Sequence, residues 1–234
     1  MSAVHLVTGA ASGIGRGLVD ALSKRDARIL ATDVDAAGLR AARDSLGWDE
    51  ETVRLRPLDV RRPGDWEAAL DAAEAAFGPV DVLLNVAGYL APGWIHEATV
   101  EEVERHFDIN AKGVALGLRA ASARMVARGS GHIVNIASMA ALAPISGLTL
   151  YSASKYAVRG LSLAAAGDLK PHGVSVSCVC PDAVATPMLD VQADRPEAAL
   201  TFSGTVLQVE QVVGAILDDV LPRRPLELWL PRSR

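Results

Sequence analysis

Seven short apolar runs punctuate the sequence: AVHLVT (3–8), ARILATD (27–33), TVRLRP (52–57), VDVLLNVAG (80–88), GHIVNIAS (131–138), GVSVSCVCP (173–181) and LELWLP (226–231). Several are apolar at consecutive positions, so both faces of the strand need cover, as in a parallel sheet between two helix layers. Longer segments of helical periodicity separate them, among them GLVDALSKR, DAAGLRAARDSLG, PGDWEAALDAAEAAFG and YSASKYAVRGLSLAAAGDLK. Asp35 reads as a helix start, and Gly78 and Gly129 as helix ends. Repeated strand–helix units connect with right-handed crossovers, which predicts an α/β fold: a doubly wound, mostly parallel seven-stranded sheet with helices on both faces. The chain of 234 residues is expected to form one domain over 1–234. With aromatic residues at only 4%, its core must be aliphatic.

The first strand-to-helix turn, TGAASGIG, sets Gly9, Gly13 and Gly15 where bare backbone N–H groups can approach a pyrophosphate at a helix N-terminus. A glycine cluster can also be no more than a tight turn. The second predicted strand, however, ends in Asp33, where a Rossmann-like dinucleotide site holds the acid that hydrogen-bonds the adenosine ribose. A carboxylate there repels a 2′-phosphate, so NAD(H) is expected over NADP(H). In YSASK, Tyr151 and Lys155 stand four apart and share one helix face. A free phenol titrates near pH 10, and a fixed ammonium beside it favours the phenolate.

TGAASGIG, NVAG (85–88), IVNIAS ending at Ser138, and YSASK, in this order and spacing, resemble the short-chain dehydrogenase/reductase family over almost the whole chain. The resemblance implies an NAD-dependent enzyme acting on CH–OH donors. Tyr151 would exchange a proton with the substrate oxygen, Ser138 would hydrogen-bond that oxygen, Lys155 would also hold the nicotinamide ribose, and Asn110 would support a water relay. It further implies cofactor contacts from Gly9, Ser12, Gly13, Ile14, Gly15, Asp33, Val34, Asp59, Val60, Asn85, Ala87, Gly88, Tyr151, Lys155, Pro181, Val184 and Thr186. One position departs from the family pattern: Asp182 follows Pro181 where many members have glycine. Asp either tolerates the same backbone or shapes substrate choice.

The segment 187–205 lies where family members carry a substrate lid. Met139, Leu142, Trp94, Met188, Leu189 and Phe202 are candidates for an apolar pocket, with Asp182 as the nearest charge and Arg195 as the lid cation that could swing inward. An uncharged secondary alcohol or ketone is the expected substrate. Alternatives are a 3-ketoacyl reductase-like enzyme, which sits poorly with Asp33, and a non-catalytic NAD(H)-binding regulator, which sits poorly with the retained Ser138, Tyr151 and Lys155.

The net charge of −5 and the lack of a Lys/Arg block argue against nucleic-acid and membrane-surface partners. Cys178 and Cys180 lack zinc-ligand spacing and read as buried reduced thiols, so no metal is assigned. The apolar N-terminal run is short and interrupted by His5, so neither a signal peptide nor a membrane span is expected and a cytoplasmic location follows. Small-residue helices together with the resemblance imply a homodimer or homotetramer.

Overall fold

The computed structural model describes residues 2–202, 204 and 206–231. All seven predicted strands form: β1 (Val4–Thr8), β2 (Arg28–Asp33), β3 (Val53–Pro57), β4 (Val82–Asn85), β5 (Gly131–Ile136), β6 (Val174–Pro181) and β7 (Glu227–Leu230). They make one sheet in the order β3-β2-β1-β4-β5-β6-β7. Every pairing is parallel, so the sheet is fully rather than mostly parallel. The order reverses between β1 and β4, and the crevice above such a switch point is where this architecture binds ligands.

Helices α1 (Gly13–Ser23), α2 (Ala36–Leu46), α3 (Pro63–Phe77), α4 (Val100–His106), α5 (Gly113–Arg128), α6 (Thr149–Leu169), α7 (Pro187–Asp190) and α8 (Val209–Ala215) fill the connections. Asp35 caps α2 by accepting from the N–H groups of Ala37 and Gly38, which leaves Asp33 for other work. One apolar layer, including Leu18, Leu22, Leu39, Val212 and Ile216, lies on the α1, α2 and α8 side of the sheet. The other, with Trp66, Leu70, Leu118, Met125 and Ala165, lies on the α3, α5 and α6 side. Between α4 and α5 a π-helical stretch, Phe107–Lys112, interrupts the regular turn. Such bulges recur at functional sites because they re-aim one side chain, here Asn110. Among the described residues no helix is long and apolar enough to cross a membrane.

Close approach explains two glycines of the first turn. Gly9 has φ +70°, and a Cβ there would stand 2.9 Å from the Ala87 backbone. A Cβ on Gly15 would lie 2.1 Å from the Gly9 carbonyl oxygen, so any side chain would push α1 away from the strand end.

Candidate active site

A cavity of about 690 Å³ opens along the C-terminal ends of the strands. At one end lie Gly9, Ser12, Gly13, Ile14 and Gly15, then Asp33 and Val34 after β2, and Asp59 and Val60 after β3. Ala87 and Gly88 follow β4, Ser138 follows β5, and Pro181, Val184 and Thr186 follow β6. Tyr151 and Lys155 complete the lining from α6. Residues spread over most of the chain meet there because parallel strands all point their C-terminal ends the same way.

The donor and acceptor set fits a dinucleotide. Ser12 stands at the N-terminus of α1 yet makes no side-chain cap to its own helix. Asp33 accepts from the N–H of Ala11 at 3.0 Å and of Asp35 at 3.0 Å, which orients its carboxylate at the strand end. Asp59 is chelated by Arg61, whose guanidinium holds that carboxyl below its usual range. Gly88 has no side chain where a Cβ would come within 3.5–3.7 Å of Asn110, Met188 and Lys155, which keeps the space in front of the lysine open.

Tyr151 and Lys155 share a helix face as their spacing requires, with the ammonium 5.6 Å from the phenol ring centre. Lys155 Nζ donates to the Ile136 carbonyl at 2.8 Å. Burial pushes the Tyr151 phenol up to about 12, with the Ser138 hydroxyl pulling the other way. Burial also brings Lys155 down to about 8, against the nearby Cys178 and Cys180. In the folded protein the phenol is therefore raised rather than lowered, contrary to the sequence expectation: desolvation outweighs the Ser138 hydrogen bond. Ser138 caps a short 3-10 turn by accepting from the Ala140 N–H at 3.1 Å.

Two residues expected to face the cofactor or the chemistry do neither. Asn85 points into the α5–α6 layer, donating to Asn135 Oδ1 at 2.8 Å; Asn135 in turn donates to Ser162 at 2.9 Å. Strand alternation turns it away from the crevice, so it ties β4 to β5 and α6. Asn110 is fully buried and spends its carboxamide on Tyr89, accepting the N–H at 2.7 Å and donating to the carbonyl at 2.8 Å. A third bond reaches Ser154 at 2.9 Å. Its side chain clamps the Tyr89 backbone to Ser154 of α6.

The expected substrate residues divide. Asp182, Met188 and Leu189 line the cavity. Trp94, 41% exposed, lines a separate small cavity and Phe202 is 40% exposed, while Met139 and Leu142 pack with Val158 and the two cysteines. Asp182 turns its carboxylate back to the N–H of Ala183 at 2.9 Å. Among described non-glycine residues only Asp26 and Arg224 have positive φ, so the backbone at 182 does not demand glycine. Arg195 pairs with Glu197 and reaches the Pro92 carbonyl, away from the main cavity. The lid segment's Ser203 and Thr205 lie outside the described residues.

Sequence reading missed Tyr89, Arg105, Ile145, Leu148, Gln192 and Thr201, all of which line the cavity. Two carried a usable signal: Leu148 lies three residues before Tyr151, and Arg105 one helical turn before Ile109. Two further cations line the cavity besides Lys155: Arg105, whose guanidinium stacks 4.1 Å from the Tyr89 ring centre, and Arg61. Cys178 and Cys180 are buried and free, their sulfurs 3.8 Å apart. Glu227 lies within 4.8 Å of both, but its carboxylate is taken by Arg159.

The sequence profile of the short chain dehydrogenase family matches residues 3–197. A 3-alpha-(or 20-beta)-hydroxysteroid dehydrogenase of Mycobacterium tuberculosis is 37% identical over 218 residues, which cover 92% of this chain and 82% of that protein. A short-chain dehydrogenase/reductase from Burkholderia phymatum, solved in complex with NAD, superposes with a TM-score of 0.87 at 30% identity, covering 97% of this chain and 88% of that one. The closed form of a serine dehydrogenase complexed with NADP+ gives a TM-score of 0.86 at 32% identity, with 99% and 96% covered. With a fully parallel doubly wound sheet and a serine, tyrosine and lysine gathered over its switch point, the chain belongs to the short-chain dehydrogenase/reductase family, oxidoreductases that act on CH–OH groups.

Proposed function

We propose that the protein transfers a hydride between NAD(H) and an uncharged, largely apolar secondary alcohol or ketone. The observation that carries this reading is that Ser138, Tyr151 and Lys155 line the same cavity as the glycine turn and Asp33. A nicotinamide held by the glycine turn and Asp33 would supply the hydride chemistry. Tyr151 then moves the proton at its Oη, Ser138 orients the substrate oxygen, and Lys155 keeps positive charge beside the phenol. Asn110 acts one step removed, by holding the Tyr89 backbone.

Asp33 supports NAD(H) over NADP(H): its carboxylate is fixed at the β2 end, and the following Val34 brings no cation. Arg61 is committed to Asp59. Similar solved structures hold either cofactor, so the preference rests on these residues. Ala140, Ile145, Leu148, Met188 and Leu189 support an apolar substrate, in keeping with the hydroxysteroid dehydrogenase among the relatives.

Segment 187–205 is read as a lid over a single catalytic domain. Exposed Val100 and Val103 on α4, Phe107 directly after it and Tyr156 on α6 are read as a face for self-association. The direct test is Tyr151→Phe, which should cut turnover by about 10²–10⁴-fold and leave NADH affinity intact. A loss below tenfold would remove tyrosine from the mechanism. Unchanged NADH binding with no turnover of any alcohol or ketone by the unmodified protein would favour a regulatory role.

A further inference from the structure

Beyond Gly88 the cavity wall is the segment Tyr89–Gly93, and a second cavity of about 160 Å³ lies on its far side. Tyr89 and Leu90 line the large cavity, whereas Ala91, Pro92 and Gly93 line the small one. Leu90 packs with Leu148 and Ala198, and polar bonds fix the backbone on either side of it. Asn110 holds Tyr89 at both its N–H and its carbonyl. Arg195 reaches the Pro92 carbonyl at 3.3 Å, and the Gly93 N–H donates to the Gly147 carbonyl at 2.9 Å. The Ala91 N–H donates to His106 Nε2 at 3.2 Å.

The geometry dictates the state of His106. Its Nδ1 lies 2.7 Å from the Glu102 carbonyl oxygen, which can only accept, so Nδ1 carries the proton. Nε2 must then offer a lone pair, as the Ala91 N–H requires. The ring is 1% exposed and meets Tyr89 edge-on with centroids 4.8 Å apart. One imidazole thus supports the wall at two successive points.

We propose that His106 is a positioning residue for substrate: as the neutral Nδ1–H tautomer it fixes Ala91, and with it the Tyr89–Leu90 wall against which the substrate packs. The proposal rests on the oxidoreductase reading of the large cavity. It assigns His106 to substrate affinity rather than to the hydride or proton step, because no atom of the ring lines that cavity.

A proton on Nε2 would set a donor against the Ala91 N–H and break the bond. Glu102 and Arg105 face the ring from its own helix, Tyr89 faces it from the wall, and Glu97 and Arg195 share the small cavity with it. Burial, and secondarily Arg105, hold the imidazole below its ordinary range against Glu102. The wall therefore stays in place through neutrality and loosens only at acid pH.

The test uses the full-length enzyme with a neutral ketone and NADH. His106→Leu deletes the acceptor and should raise KM about five- to tenfold with kcat within twofold, consistent with leaving a backbone N–H unpaired. NADH affinity, read by fluorescence titration, should not move. Gln carries an acceptor and a donor, so His106→Gln should recover most of the lost affinity. In the unmodified enzyme KM should stay flat through neutrality and rise only at acid pH below the ordinary imidazole range, and the Gln variant should lack that rise. Equal KM for Leu, Gln and unmodified enzymes, or an acid rise that persists in His106→Gln, would overturn the proposal. So would a loss confined to kcat. Failure of the unmodified enzyme to reduce any ketone would strike the oxidoreductase reading instead. Should the Leu variant fail to fold, the Gln variant and the pH profile of KM decide.

Discussion

Replacing Lys155 by Met keeps the length of the side chain and removes its charge, which isolates what the ammonium does for Tyr151. Nζ lies 5.6 Å from the phenol ring centre. At an effective dielectric of about 20, unit charges at that separation interact by about 3 kcal/mol, equivalent to about 2 pH units. Burial raises the phenol to about 12 against the Ser138 hydrogen bond, far above any working pH, and in the proposed mechanism the neighbouring charge is what favours the phenolate. In the proposed mechanism oxidation uses the phenolate as base and rises with pH; removing the cation should move that rise about 2 units upward. At a fixed pH on the rising limb below about 8, where Lys155 is still charged, the variant should oxidise alcohol about 100-fold more slowly. Reduction, which uses the protonated phenol, should suffer less at low pH. The assay is kcat against pH in both directions at saturating nicotinamide, followed by absorbance, with NADH affinity measured separately because Lys155 also lines the cofactor's cavity. An equal loss at every pH with no displacement of the oxidation profile would refute the reasoning and leave Lys155 a role in binding alone.

Asp33→Ser should narrow the preference for NAD(H) by removing the repulsion of a 2′-phosphate, without reversing it, since neighbouring Val34 offers no cation; a preference of the unmodified enzyme for NADP(H) would defeat the argument. Uncharged secondary alcohols should show higher kcat/KM than 2- or 3-hydroxy acids of similar size. If the acids win and Arg105→Ala abolishes their advantage, the guanidinium over Tyr89 is an anion site and the apolar reading fails. His132 is buried with Nε2 on the Ser177 hydroxyl, and burial, then the Arg224 charge, lowers its pKa to about 4. A depressed imidazole binds its proton more readily in the unfolded chain. Stability should be level above about pH 6.5 and fall by about 3 kcal/mol as pH drops toward 4. Urea denaturation at several pH values should show a shallower acid slope for His132→Leu, and an unchanged slope would exclude this residue.

The features legible in the sequence are those set by short-range geometry. Apolar runs and helical periods imply the seven strands and the main helices because side-chain direction follows from backbone period. Asp35 caps its helix through bonds within three residues, and Tyr151 and Lys155 share a face because four residues make about one turn. The glycine turn was legible too, although the contacts that demand it, Gly9 against Ala87 and Gly15 against Gly9, are visible only once folded. Side chains whose role depends on what another segment presents were misread. Asn85 looks like a cofactor residue by spacing, but the pleat turns it toward Asn135, fifty positions away. Asn110 looks catalytic, yet the π-helical turn aims its amide at the Tyr89 backbone. Trp94, Met139 and Phe202 are apolar near the right motifs but lie outside the main cavity, while Tyr89 and Thr201 line it unannounced. Periodicity determines which way a residue points from its own helix or strand; only the packing of distant segments decides what it meets there, and the support of the Tyr89–Gly93 wall by His106 belongs to that second kind.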